Sequence, residues 1–244
     1  ASKHVISMYE DVAKRVEGPE PPLHHYSYYG GTSNEEWDEI VRSHVGRLRY
    51  QPGQSVFEAG CAAGAFLDSV SRQYNVSVSG ADVSPSLIAV ARSRLLPKTP
   101  KGSKMPSTTV SSSSSQRLSG PSPFCVADAR NLSHLPSASF DHSLAFGVLT
   151  YAESHTDACL IASELVRLTR PGGSVFLGQI NNADVRHKAP QEMEGGKGVT
   201  PDYWYKFASE AGLRVIVLRG EDVYSKLVLP SLTHYDLHAS YRYN

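Results

Sequence analysis

From Gln54 to Asp82 the chain reads QSVFEAGCAAGAFLDSVSRQYNVSVSGAD, with the carboxylates of Glu58 and Asp82 on either side of a turn of small residues. Gly60 and Gly64 allow a backbone to approach a ligand closely and to take positive φ, while Ala62 and Ala63 add almost no bulk beneath it. A helix leaving such a turn points N–H groups without intrahelical partners, and a positive dipole end, at whatever sits there. The chemistry this pattern supports is capture of a nucleotide-like ligand. Asp82, about twenty residues beyond the turn, is placed for its carboxylate to accept hydrogen bonds from both ribose hydroxyls. Farther on, Asp128 follows another apolar run, FCVA, where a carboxylate can accept the exocyclic amine of an adenine. The competing reading of the turn is structural, a Gly/Ala corner that packs helix on strand.

The elements that must position these residues follow from local pattern. Residues 55–57 form a short apolar strand, 58–64 the turn, 65–74 an amphipathic helix and 76–81 an alternating second strand: a βαβ unit with a ligand turn at its first strand end. Upstream, Ser33 followed by Glu36, ahead of Trp37, Ile40, Val41, Val45 and Leu48, predicts a capping box opening a helix to about Arg49. Downstream, Ser84 caps a helix with Pro85 at its first position. Phe140 to Leu149 reads as a central strand and Ala158 to Thr169 as an amphipathic helix. Arg170-Pro171-Gly172-Gly173 then ends that helix and launches a buried strand from Ser174 to Ile180. Tyr203, Phe207 and Ala211 mark a further helix, Leu213 to Leu218 a strand, and Leu237 to Tyr243 an alternating last strand.

At 244 residues the chain is long enough for one well-buried domain with embellishments. Its formal net charge is zero, so no global field draws it to nucleic acid or to an anionic membrane. Cys61, Cys125 and Cys159 are dispersed, without the paired spacing of a zinc site, and their odd number argues against a disulfide framework. A reduced, cytoplasmic protein is expected. No run approaches the roughly eighteen apolar residues of a membrane span, and the amino end lacks a signal-peptide core. Residues 1–32 combine a short helical pattern, Val5, Met8, Tyr9 and Val12, with the Pro-containing aromatic segment PEPPLHHYSYYGG. They read as an N-terminal flap or lid, with residues 33–244 as the main domain. His24 and His25 have no nearby carboxylate or cysteine to complete a ligand set, so no metal is expected. Residues 97–122 hold no acidic residue and a serine run, and read as a disordered surface insertion.

A dinucleotide fingerprint wants Gly at its first, third and sixth positions, and Gly60, Ala62 and Ala65 supply only the first. Glu58-x-Gly60-x-Ala62-x-Gly64 instead resembles the acidic-x-Gly-x-Gly-x-Gly first motif of class I S-adenosylmethionine-dependent methyltransferases, departing from it at Ala62. The acidic strand end at Asp82, VADARNLSHLP before FDHSLAFGVL, and LVRLTRPGGSVFLGQI are similar to the successive later motifs of that family, in the same order. The resemblance covers roughly residues 33–244 apart from the insertion. A narrower similarity, to bacterial-type small-molecule methyltransferases whose last motif strand continues into I-N-D-A-D, rests on Ile180-Asn181-Asn182-Ala183-Asp184.

The resemblance implies an α/β, Rossmann-like, doubly wound seven-stranded sheet with its last strand antiparallel, and S-adenosyl-L-methionine as cofactor. By position, Glu58, Gly60, Cys61 and Gly64 would frame the methionine part. Asp82 and Val83 would meet the ribose, Asp128 and Ala129 the adenine, Phe146 and Gly147 the methyl-donor side, and Tyr29 would reach over from the flap. The implied reaction is methyl transfer to an oxygen or nitrogen of a small-molecule acceptor. Loops leaving the strand ends offer the acceptor contacts: Tyr28 on the flap, Tyr151 and Glu153 after the fourth strand, and Asn181, Asn182, Asp184 and His187 after the fifth. Tyr151 is the first choice to orient the acceptor and His187 the first choice for a base, since its ordinary pKa lies near neutral. Two alternatives stay open: a catalytically silent, partner-binding module of the same fold, and a protein or RNA methyltransferase.

Overall fold

The computed structural model describes residues 3–16, 21–26, 32–96, 123–181, 201–219 and 234–241. Helix α1 (Lys3–Arg15) and a 3-10 turn (Leu23–Tyr26) precede α2 (Asn34–Val45). Strand β1 (Ser55–Ala59), α3 (Ala65–Tyr74), β2 (Ser77–Asp82) and α4 (Pro85–Leu95) follow. After them come β3 (Phe124–Val126), β4 (Phe140–Phe146), a 3-10 turn (Val148–Tyr151), α5 (His155–Leu168) and β5 (Thr169–Asn181). The last elements are α6 (Pro201–Glu210), β6 (Leu213–Arg219) and β7 (His234–Tyr241). Among the described residues, no helix is long and apolar enough to cross a membrane. The 97–122 insertion lies outside the described residues.

Five strands form a parallel sheet in the order β3-β2-β1-β4-β5. Parallel strands are covered on both faces, so β1 is buried almost end to end. Val56 joins the layer under α2, α3 and α4, where Trp37, Ile40, Val41, Phe66, Leu67 and Ile88 meet. Phe57 and Ala59 join the opposite layer, filled by Ile161, Leu165 and Leu168 of α5 and Trp204 of α6. From β1 the chain winds to β2 and β3 on one side and returns to β4 and β5 on the other. The crevice between the C-terminal ends of β1 and β4 is therefore a topological switch point, where such sheets bind ligands.

The local expectations fare well around that crevice. Helix α3 spans the expected residues, and the capping box forms: Glu36 N–H donates to Ser33 Oγ (3.2 Å) and Ser33 N–H to Glu36 Oε2 (2.7 Å). Helix α2 nevertheless stops at Val45, short of Arg49, and tightens into a 3-10 turn (Gly46–Leu48). The flap segment is more regular than its prolines predict, since Leu23–Tyr26 forms a 3-10 turn. The largest difference lies at Arg170-Pro171-Gly172-Gly173. These residues belong to β5, which begins at Thr169 and passes them as an irregularity where the register against β4 shifts between Phe140 and His142. Gly172 has φ +84°, and a Cβ on Gly173 would lie 2.1 Å from the Asp141 carbonyl oxygen. The glycines thus serve close strand approach within the sheet, which a local reading of turn residues takes for a connection.

Candidate functional site

The turn after β1 is tied down at both ends. Gly60 N–H and Cys61 N–H both donate to the Ala81 carbonyl at the end of β2 (2.7 and 3.0 Å), and Gly64 N–H donates to the Cys61 carbonyl (2.8 Å). Gly60 must be glycine on two counts: its φ is +74°, and a Cβ there would lie 2.2 Å from Val148 Cγ2. Ala62 also adopts the left-handed region, with φ 48°. That conformation costs a non-glycine residue on the order of 1–2 kcal/mol. A charge-assisted bond from Ala62 N–H to Asp82 Oδ2 (2.9 Å) offsets it. The other Asp82 oxygen accepts from Ser84 N–H (2.9 Å), so one carboxylate clamps the turn to the start of α4. Ser84 caps α4 through Leu87 N–H (3.2 Å), as its position predicts.

Glu58 is the electrostatic exception in this crevice. It is 2% exposed, and its Oε2 has no hydrogen-bond partner among the described residues. Burial, and then the neighbouring charge of Asp82, push its carboxyl well above the ordinary glutamate range. Burial also raises Asp82, but N–H donors from Ser84, Ala62 and Val83 oppose that rise. A buried carboxylate without donors is costly when ionised. The end of β1 therefore offers an acceptor to a cation.

The N-terminal helix closes over this region. Tyr9, Ala13 and Val16 pack with Leu23, Tyr26, Ala63 and Leu87, placing α1 and the first 3-10 turn directly on the small-residue turn. Ser84 and Ser86 hydroxyls donate to the two oxygens of Glu10, and Ser86 N–H adds a 3.3 Å bond. Those hydroxyls hold Glu10 below the ordinary carboxylate range. One residue earlier, Tyr9 OH donates to Tyr151 OH (3.0 Å), the rings meeting edge to face at 5.7 Å. Tyr9 and Glu10 are the participants that sequence reasoning missed. Tyr9 shows only as one position of an amphipathic helix, and nothing local singles out a glutamate whose partners lie 74 and 76 residues away.

Residues 57–177, running from β1 into β5 and spanning the turn, Asp82 and Asp128, match a protein family described as "Methyltransferase domain". The chain belongs to the class I S-adenosylmethionine-dependent methyltransferases. Solved structures of the same fold include a chain from the complex of the Haloferax volcanii Trm112 methyltransferase activator with a methyltransferase (TM-score 0.61, 14% identity, 96% of this chain and 98% of that one). A Methanosarcina mazei SAM-dependent methyltransferase (0.54, 16%, 82% and 97%) is another. So is Streptomyces coelicolor geranyl diphosphate C-methyltransferase with Mg2+, geranyl diphosphate and S-adenosyl-L-homocysteine (0.53, 13%, 86% and 79%). No curated protein sequence matches this chain.

The other expected site residues of this methyltransferase are placed unevenly. Cys61 is buried and packs where a Cβ on Gly80 would lie 2.7 Å away, and burial raises its thiol, so it shapes the turn rather than reacting. Val83 is half-buried beside Asp82 and Ala129 is buried in the core. Asp128 follows β3 as expected, but Arg130 grips both its oxygens (3.0 and 2.7 Å), keeping it ionised far below the ordinary range. Arg130 also reaches Asp157 (2.9 Å), tying this corner to α5.

Phe146 departs from expectation. Its ring packs against Phe66 and His44 (both 4.7 Å) in the layer under α2 and α3, so it buttresses the crevice from behind. Gly147, with φ 73°, makes the sharp exit from β4 that the motif needs. Tyr151 is half-buried under Tyr9, and Glu153 is exposed. Asn181 ends β5. Tyr28, Tyr29, Asn182, Asp184 and His187 lie outside the described residues. Among the described residues, no group of three His, Cys, Asp or Glu could hold a metal ion. A cavity of about 380 Å³ lined in part by Pro22, Asp68, Arg72 and Arg94 sits behind the turn. Arg72 is engaged by the carboxylates of Asp38 and Asp68, and Arg94 donates to the Pro21 carbonyl.

Proposed function

We propose that the crevice binds S-adenosyl-L-methionine and that the chain transfers its methyl group to an oxygen or nitrogen of a small-molecule acceptor. The observation that carries this reading is Glu58, a buried carboxylate with an oxygen that nothing in the described residues satisfies, set at the mouth of a turn with positive-φ glycines. A cationic amino group is the ligand that relieves it. In this reading Glu58 and the turn hold the methionine portion, Asp82 and Val83 the ribose, and the segment from Asp128 to Ala129 the adenine. Tyr29 and Gly147 complete the set. When bound, the cofactor supplies a sulfonium-activated methyl for in-line displacement.

Everything else falls to positioning. Tyr151, held by Tyr9, orients the acceptor. Helix α1, latched by Glu10, excludes water, as the flap reading of residues 1–32 requires. His187 is the candidate base for an acceptor that must lose a proton. The same proposal takes the sheet to seven strands with β7 antiparallel to β5 and β6; the pairings of Val175 with Ala239 and of Val215 with Ala239 support it. It also sets the reaction in a reducing, cytoplasmic compartment, supported by three free cysteines.

Isothermal titration with S-adenosylmethionine and S-adenosylhomocysteine tests the reading, followed by turnover on a metabolite extract. Saturable binding and methylated small molecules are the expected result. Binding of a nicotinamide dinucleotide in their place would overturn it. Tight donor binding with no methylated product would favour the silent partner-binding module.

A further inference from the structure

Two carboxylates share the crevice, and their surroundings sort them. Asp82 has a backbone N–H on each oxygen, from Ala62 and Ser84, and these favour its ionised form. Glu58 sits on the adjacent strand, paired in register with Gly80 and Leu144, and its Oε2 receives no donor among the described residues. The titratable groups around Glu58 do not help it ionise. Asp82 on β2 carries like charge, and Glu10 on α1 adds to that field at Asp82. Cys61 in the turn and Tyr50 ahead of β1 both feel Glu58, and burial keeps both neutral by raising their acid groups.

We propose that Glu58 holds a proton in the free protein and surrenders it to solvent when the amino group of the donor docks, making donor binding proton-linked. This rests on the donor-site reading above. The balance is simple: the ligand arrives with its ammonium protonated, Glu58 COOH becomes COO⁻, the pair forms, and one proton passes to buffer. Donor affinity then rises about tenfold per pH unit over the range in which free Glu58 is protonated, and levels off above it. The consequence is a donor site whose occupancy follows pH through one side chain.

The test is calorimetric titration of the full chain with S-adenosylhomocysteine, which carries the amino group and cannot be turned over, in pairs of buffers of different ionisation enthalpy at several pH values between about 5 and 7. Release of about one proton per ligand by the wild type, and none by Glu58→Gln, is expected. Saturable binding without proton release overturns the inference and leaves the donor site standing. A proton still released by Glu58→Gln overturns it equally. Failure of both S-adenosylmethionine and S-adenosylhomocysteine to bind removes the donor site itself. Should Glu58→Gln not fold, the infrared difference spectrum of the wild type decides: loss of a protonated-carboxyl band on ligand addition supports the proposal, and an unchanged band overturns it.

Discussion

At the N-terminal ends of the strands, Asp141 accepts from Ser55 N–H, Ser55 Oγ (both 2.8 Å) and Arg170 (3.1 Å). His142 beside it bridges Ser174 Oγ (2.6 Å) and Gln54 Oε1 (2.9 Å). With Gln54 as acceptor, Nε2 carries the proton and Nδ1 accepts from Ser174, the neutral form that burial of His142 favours. At the C-terminal ends β2 offers Asp82, served by backbone amides, and β1 offers Glu58, whose Oε2 none of the described residues serves. Tyr50, packed on His142, also leaves its hydroxyl unbonded among the described residues, but a neutral phenol bears burial better than a carboxylate. One end of the sheet is thus closed on itself, and the other keeps an acceptor in reserve. The difference teaches where stability and ligand chemistry part company within a single sheet.

Asp82→Ala should break the crevice end hardest. Two N–H groups lose their acceptor, at about 1–3 kcal/mol each, so the urea midpoint should fall by the equivalent of about 3 kcal/mol. S-adenosylhomocysteine affinity should drop at least tenfold as the ribose contact goes. An unchanged midpoint would show that the carboxylate does not hold the turn; unchanged affinity would defeat the ribose assignment.

Gly173→Ala is the counterpart at the closed end. Its Cβ must displace the Asp141 carbonyl, costing about 2 kcal/mol of stability, while ligand affinity of the folded protein stays as it was. A tenfold affinity loss here would mean that the two ends are not separable.

Glu58→Gln sharpens the contrast through pH. A carboxyl raised in the folded state contributes stability that is complete below the ordinary glutamate value of 4.5 and is lost as pH rises through the folded value. The stability gap between Glu58→Gln and the wild type should be near zero in acid. It should then widen in favour of the glutamine as pH rises, by up to about 1.4 kcal/mol per pH unit. Parallel curves of denaturant midpoint against pH for the two proteins would contradict the assignment.

The smallest effect is expected from Glu10→Ala, whose bonds lie close to solvent: at most about 1 kcal/mol, seen as faster proteolysis within α1 while the core transition is unmoved.

What the sequence made legible divides along the same line of locality. The run from β1 through α3 to β2 is readable to within a residue or two, because glycine placement, helical periodicity and strand alternation are all written within the segment itself. The Ser33–Glu36 capping box is readable for the same reason. Contacts made across the chain leave no such trace. The Pro171-Gly172-Gly173 stretch looks like a connection until Asp141 is seen pressed against it, and Phe146 looks like a crevice residue until Phe66 and His44 are found behind it. Asp82 shows as a ribose ligand by its position, but its grip on Ala62 appears only once the turn is folded back on β2.

The bond between Tyr9 and Tyr151 spans 142 residues of chain. During synthesis at roughly 5–20 residues per second, α1 leaves the ribosome on the order of ten seconds before its hydroxyl partner exists. The apolar side of the helix finds its seat once Ala63 and Leu87 have folded, but its hydroxyl bond waits for the turn beyond β4. The cover of the crevice is therefore seated first and fastened later.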